Sequence, residues 1–131
     1  MFKTATAACL AATLAVSALA QDAPGYIVET YPSPVIGPFL QSYGALKGED
    51  ASLDARTHEL IALAVAAQIP CTYCVYAHAK NARRAGATTE ELREAVAVAA
   101  FVRHFSTAFN GAALDFEAFR EEHDALAPPP D

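Results

Sequence analysis

The sequence has few positive charges and no basic cluster. Its 9 lysine and arginine residues stand against 15 aspartate and glutamate residues, and the formal net charge is −6. Nucleic acids and anionic membrane surfaces recognise basic patches, which an acidic chain of this kind does not offer. The composition therefore argues against nucleic acid as a partner and against electrostatic binding to a membrane.

Long apolar runs are also missing, apart from one short segment at the N-terminus. A membrane-spanning helix needs about 20 consecutive apolar residues, and the run over residues 5–16 is too short for that. This run follows Lys3 and precedes the small-x-small motif of residues 18–20, an order that is typical of an export signal. We therefore predict a signal peptide over residues 1–20, cleavage near Ala20, a periplasmic or secreted mature protein, and no stable membrane insertion.

Cysteine is scarce: the sequence has 3, and Cys9 falls inside the predicted signal peptide. The other two, Cys71 and Cys74, are separated by only two residues. An exported protein meets an oxidising compartment, so a disulfide can form between them. A bridge that closes so small a loop adds little stability, and we therefore interpret the pair as chemical rather than structural.

No segment shows the alternation of apolar and polar residues that a half-buried strand requires. Helical signals are frequent instead, and the predicted fold class is all-α, a single-domain helical bundle. The predicted organisation is a signal peptide at residues 1–20, an extended, proline-containing arm at 21–34, a helical domain at 35–126 and a disordered tail at 127–131.

Caps, glycines and prolines predict where the helices begin and end. Pro70 must break a helix, Gly86 is a natural left-handed residue after one, and Thr88 with Glu91 forms a capping box that opens the next. From Leu60 onward the helix before Pro70 is apolar on every face, which predicts that it is buried. The predicted helices are residues 33–48, 55–69, 71–86, 88–111 and a last one that carries Leu114, Phe116 and Phe119.

A C-x-x-C motif and a following histidine lie on one face of the predicted third helix. Cys71, Cys74 and His78 are at positions i, i+3 and i+7, and His78 is one turn beyond Cys74, close enough to take its proton. The unpaired N–H groups at the start of that helix favour a thiolate. Glu59 is the one carboxylate that opens the apolar stretch of the helix before, and antiparallel packing would bring it to His78. We interpret the four residues as a thiol site with an acid–base relay.

These residues and their neighbours resemble a known family. Residues 53–64, the motif from Cys71 to His78, and residues 86–95 are similar to the carboxymuconolactone decarboxylase superfamily. Within it, they resemble the alkylhydroperoxidase D-like branch, whose signature is a glutamate, a C-x-x-C pair and a histidine at these same spacings. The resemblance covers residues 35–114.

The resemblance implies an all-helical, oligomeric protein, a trimer or a multiple of one, that reduces hydroperoxides through its cysteine pair without metal, haem or another cofactor. The matching active-site positions are Glu59, Cys71, Cys74 and His78. The implied partners are a hydroperoxide substrate, a thiol reductant of unknown identity and further copies of the chain. The best-known member has a histidine just before the second cysteine, where this chain has Tyr73, so the relay is expected to be shorter or slower.

The same residues allow other interpretations. Glu59, Cys71, Cys74 and His78 could supply the four ligands of a structural zinc site, although zinc usually pairs C-x-x-C with a second such pair or with two histidines. Haem attachment is excluded, because Val75 and not a histidine follows the second cysteine. Two further alternatives are a non-catalytic helical oligomerisation module with a local disulfide, and a lactone decarboxylase of the same superfamily.

The remaining candidate side chains have simpler explanations. Histidines on helices more often pack or face solvent than react, and we assign no role to His58, His104 and His123. Tyr73 and Tyr76 are expected to line the site without reacting.

Overall fold

The computed structural model describes residues 18–126, and within them it contains helices and no strand. The predicted all-α class is confirmed. The predicted signal peptide falls almost wholly outside the described residues, and the predicted tail does so entirely. The helices are α1 (Gly25–Thr30), α2 (Ser33–Ala45), α3 (Ala55–Gln68), α4 (Thr72–Arg84), α5 (Thr89–Gly111) and α6 (Phe116–Leu126).

The chain divides into two compact units, one that ends at Asp54 and one that begins at Ala55. The predicted boundaries of the helical domain stay a prediction. No helix in the described part of the chain combines the length and the hydropathy needed to cross a membrane.

The first unit corrects the extended arm predicted for residues 21–34, because α1 lies inside it. Pro24 is the N-cap of α1, and its φ of −56° already suits a helix start. The helix ends before Tyr31, which is extended at φ −112° and ψ 144°, because the proline that follows disfavours a helical residue before it. Pro24 and Pro32 therefore lie at the two ends of one short helix. The presence of several prolines in this segment had predicted an extended chain instead.

In the second unit, α4 and α5 both pack on α3. The core between them consists of Leu63, Ala82, Ala87 and Leu92. Small side chains let the helices approach closely, and Ala82 on α4 is 0% exposed. The α3–α5 contact is also polar: Gln68 donates to the carbonyl oxygen of Ala99 over 2.7 Å. These contacts place α3 between two neighbours.

The prediction that α3 is buried on every face is wrong. Glu59, Leu63 and Ala66 are its buried residues, while Ile61 is 50% and Val65 54% exposed. Within the second unit, α4 and α5 cover two sides of α3 and leave the third side uncovered. A helix that is apolar on every face was expected to be buried on every face, and this one is not.

The predicted end of α4 and the predicted start of α5 are confirmed by their caps. Gly86 has a φ of +90°, which glycine adopts without strain, and Ala87 N–H donates to the carbonyl oxygen of Ala82 over 2.9 Å. At the start of α5, Glu91 N–H donates to Thr88 Oγ1 and Thr88 N–H donates to the Glu91 carboxylate. The hydrogen bond from Thr88 N–H to the carboxylate, followed by the interaction of the Thr88 hydroxyl with the same carboxylate, lowers the pKa of Glu91 from its ordinary value.

Removing the threonine hydroxyl tests this capping box. We expect Thr88→Ala to lower the free energy of unfolding by about 1 kcal/mol, because one N–H at the start of α5 loses its acceptor. The neighbouring Thr89→Ala is the matched control and should change stability by less than about 0.5 kcal/mol. Urea unfolding at neutral pH measures both, and equal losses in the two variants would contradict the capping role.

Candidate active site

The cysteine pair lies where the chain turns from α3 into α4. Cys71 is the N-cap of α4, in extended conformation, and Cys74 is the third residue of the helix. The two are joined by a disulfide, with their Cα atoms 5.2 Å apart. The prediction had placed both sulfurs in the first turn of the helix. In the structure, Cys71 instead lies just before the first residue of the helix, because Pro70 delays the helix start to Thr72.

The Cys71 sulfur also receives a backbone hydrogen bond. The N–H of Cys74 donates to Cys71 Sγ over 3.2 Å. This N–H is one of those that no helical carbonyl can satisfy, and the sulfur takes the place that a serine or aspartate oxygen usually fills at an N-cap. Negative charge on Cys71 would therefore be stabilised by both this donor and the helix N-terminus.

Glu59 and His78 meet across the α3–α4 pair, as the sequence predicted. His78 Nδ1 lies 2.7 Å from Glu59 Oε2, and the Glu59 residue is only 5% exposed. An ionised carboxylate only accepts hydrogen bonds, so Nδ1 is the donor, and in the neutral imidazole Nε2 keeps a lone pair that can accept a proton. His78 follows Cys74 by one turn of α4, so the imidazole and the sulfur lie on the same face of this helix.

A second imidazole lies next to the same carboxylate. His58 Nδ1 is 3.8 Å from Glu59 Oε1, too long for a hydrogen bond. This nitrogen is buried and has no hydrogen-bond partner among residues 18–126. Sequence analysis assigned His58 no role, because a histidine on a helix more often packs or faces solvent than reacts. The feature of the sequence that could have identified His58 is its position directly before Glu59, a carboxylate already predicted to belong to the relay.

The tyrosines lie elsewhere than predicted. Tyr73 is 89% exposed and Tyr76 is also exposed, so the expectation that they line the site is wrong. Cys74 and His78 occupy the half-buried side of α4, and a residue one position before Cys74 points away from that side. The tyrosine that stands in place of a histidine is therefore turned towards solvent.

The zinc interpretation requires two cysteine thiolates, and a disulfide supplies none. In the described part of the chain, no three His, Cys, Asp or Glu side chains are grouped as metal ligands. Glu59 is instead engaged with His78.

Comparison with known proteins agrees with this architecture. Residues 38–116 match the carboxymuconolactone decarboxylase family, so the chain belongs to that family. It is 52% identical over 54 residues to uncharacterized protein 4 in the cox locus of Paracoccus denitrificans, a match that covers 41% of this chain and 49% of that protein. It is also 52% identical over 42 residues to an uncharacterized protein of Haemophilus influenzae, covering 32% of this chain and 37% of the relative.

The chain thus spans less than half the length of these two relatives. No solved structure matches it significantly.

Proposed function

We propose that the protein is a thiol-dependent hydroperoxide reductase of the alkylhydroperoxidase D-like branch of its family. The observation that carries the proposal is the buried Glu59 hydrogen-bonded to His78, one turn beyond Cys74 of a joined cysteine pair. Family membership supports it, because the family includes enzymes of this kind. The activity requires a proton acceptor beside a reactive thiol, and these four side chains supply both.

The proposed cycle begins with both thiols reduced. His78 Nε2 takes the proton of Cys74, and the resulting thiolate attacks one oxygen of the hydroperoxide. The O–O bond breaks, a sulfur–oxygen bond forms, and the departing alkoxide leaves as an alcohol with the proton that His78 carried. Cys74 is now a sulfenic acid, and the peroxide has gained two electrons.

Cys71 completes the oxidation. Its thiolate, stabilised by the N–H of Cys74, attacks the Cys74 sulfur, the S–O bond breaks, and the hydroxyl leaves as water once it is protonated. The product is the Cys71–Cys74 disulfide of this structure. An external dithiol then returns two electrons and two protons through a mixed disulfide. We propose that Cys71 meets this reductant and that the protein works after export, in the periplasm or outside the cell.

The cysteine pair and the relay also argue against the two alternative functions. A lactone decarboxylase has no use for two cysteines at this spacing. A non-catalytic module would gain little stability from so local a disulfide, and it would carry the cost of burying Glu59 for no chemical return.

Thiol titration tests the activity. The fully reduced protein should lose two thiols per chain on addition of one equivalent of an alkyl hydroperoxide, and it should release one equivalent of alcohol. A Cys71→Ser, Cys74→Ser double variant is the control for non-specific oxidation. Two thiols that persist after the peroxide is added would contradict the proposal and favour the non-catalytic module.

Single cysteine variants test which of the two cysteines reacts with the peroxide. With a sulfenic-acid trap present, Cys71→Ser should be labelled after peroxide treatment and Cys74→Ser should not, because His78 serves Cys74. In the Cys71→Ser background, His78→Ala should slow labelling by about a hundredfold, the usual effect of losing a general base. Labelling of Cys71 in the Cys74→Ser protein would reverse the roles, and an unchanged rate without His78 would remove the relay.

The proposal includes assembly into a homo-oligomer, a trimer or a multiple of one. One face of α5 is an exposed apolar stripe at helical spacing, consisting of Val98, Phe101, Val102, Phe105 and Phe109. It continues into a groove of about 320 Å³ between α3 and α5, whose apolar lining includes Ile61 and Ala64. Contiguous apolar surface of this kind is typical of a buried interface, and a second copy of the chain offers a matching surface.

Light scattering with a pair of variants tests the assembly. The wild-type protein at micromolar concentration should have a mass of three chains or a multiple of three. Phe101→Glu with Phe105→Glu should reduce that mass, because two carboxylates would be buried in the interface. Tyr26→Glu, which replaces an exposed aromatic residue of the first unit, is the control and should leave it unchanged. A wild-type mass of one chain would contradict the proposal.

A further inference from the structure

We propose that His58 is a positioning residue for the Glu59–His78 relay: it donates its Nδ1 hydrogen to the Glu59 oxygen that His78 does not use. This inference rests on the proposed function and extends it to a residue outside the family signature. Its basis is geometric. His78 contacts Oε2 of the buried carboxylate at 2.7 Å, and His58 Nδ1 lies 3.8 Å from Oε1.

The unpartnered nitrogen of His58 is the observation that needs an explanation. A buried polar atom without a partner costs about 1–3 kcal/mol, and buried polar atoms in proteins are seldom left unpaired. His58 Nδ1 is such an atom in the described part of the chain. An aliphatic side chain at this position would fill the space without that cost. The imidazole is accounted for if its nitrogen pairs with Glu59 at some stage of the reaction.

The distance required is short. A good N–H···O hydrogen bond has a donor–acceptor distance of about 2.9 Å, so His58 Nδ1 and Oε1 need to approach by roughly 0.9 Å. Hydrogen bonds of catalytic groups are often long in a resting protein and shorten as charge develops. The structure has the oxidised pair, in which His78 has no thiol proton to take.

The consequence is a carboxylate held at both oxygens. With Oε1 fixed by His58, the plane of the Glu59 carboxylate cannot rotate, and Oε2 stays in line with His78 Nδ1. His78 then presents Nε2 to Cys74 in one orientation as it gains and loses a proton. Partners that orient an active-site side chain in this way are typically worth about tenfold or more in rate.

Isosteric substitutions of His58 separate positioning from packing. The side-chain amide nitrogen of asparagine can occupy the place of Nδ1, whereas that of glutamine reaches only the place of Nε2. In the reduced protein, His58→Leu and His58→Gln should slow the loss of thiols to an alkyl hydroperoxide by about tenfold. His58→Asn should react within about twofold of the wild-type rate. His123→Asn, on α6, is the matched control and should not change the rate.

The second readout is the NMR signal of the His78 Nδ1 proton, assigned by its loss in His78→Ala. It should move upfield or broaden in His58→Leu and His58→Gln and be retained in His58→Asn. Should His58→Leu fail to fold, the Gln and Asn pair carries the comparison.

Two results would overturn the inference: wild-type rate and signal in both His58→Leu and His58→Gln, or equal losses in Asn and Gln. If the wild-type protein does not react with peroxide, the proposed function fails. The His78 proton signal then decides the positioning role by itself.

Discussion

A carboxylate buried between helices must be paired, and in this protein His78 pairs with Glu59. The pairing requires α3 and α4 to run antiparallel with one register, because Glu59 lies one turn into α3 and His78 lies at the middle of α4. The chain reversal at Pro70 supplies the first condition, and the core to which both helices contribute supplies the second. A slip of one residue between these helices would break this buried pair, at a cost of several kcal/mol.

Local chemistry predicted the helix ends well. The break at Pro70, the left-handed Gly86 and the capping box of Thr88 and Glu91 each depend on residues within one or two turns, and the structure has all three. The contact of Glu59 with His78 was also predictable, because a short turn between two helices fixes which positions face each other. The four signature residues could therefore be placed from the sequence.

What the sequence did not predict depends on non-local packing. The short α1 lies in a segment whose prolines suggested an extended chain. The exposure of Ile61 and Val65 depends on how many neighbours α3 has, which no property of its own residues determines. His58 was missed because a histidine on a helix more often packs or faces solvent than reacts, and only the folded structure shows its Nδ1 lying 3.8 Å from the Glu59 carboxylate.

The two halves of the candidate site are the cysteine pair and the Glu59–His78 pair. They differ in how easily a single mutation can remove the interactions on which each depends. The donor that stabilises the Cys71 sulfur is a main-chain N–H, which every residue except proline would supply at position 74. The proton-handling half consists of side chains, and a single base change can remove Glu59 or His78. Mutations that accumulate during evolution would therefore remove the Glu59–His78 pair before they removed the main-chain N–H that stabilises the Cys71 sulfur. A descendant can keep a cysteine pair that still forms a disulfide after it has lost the Glu59–His78 pair beside it.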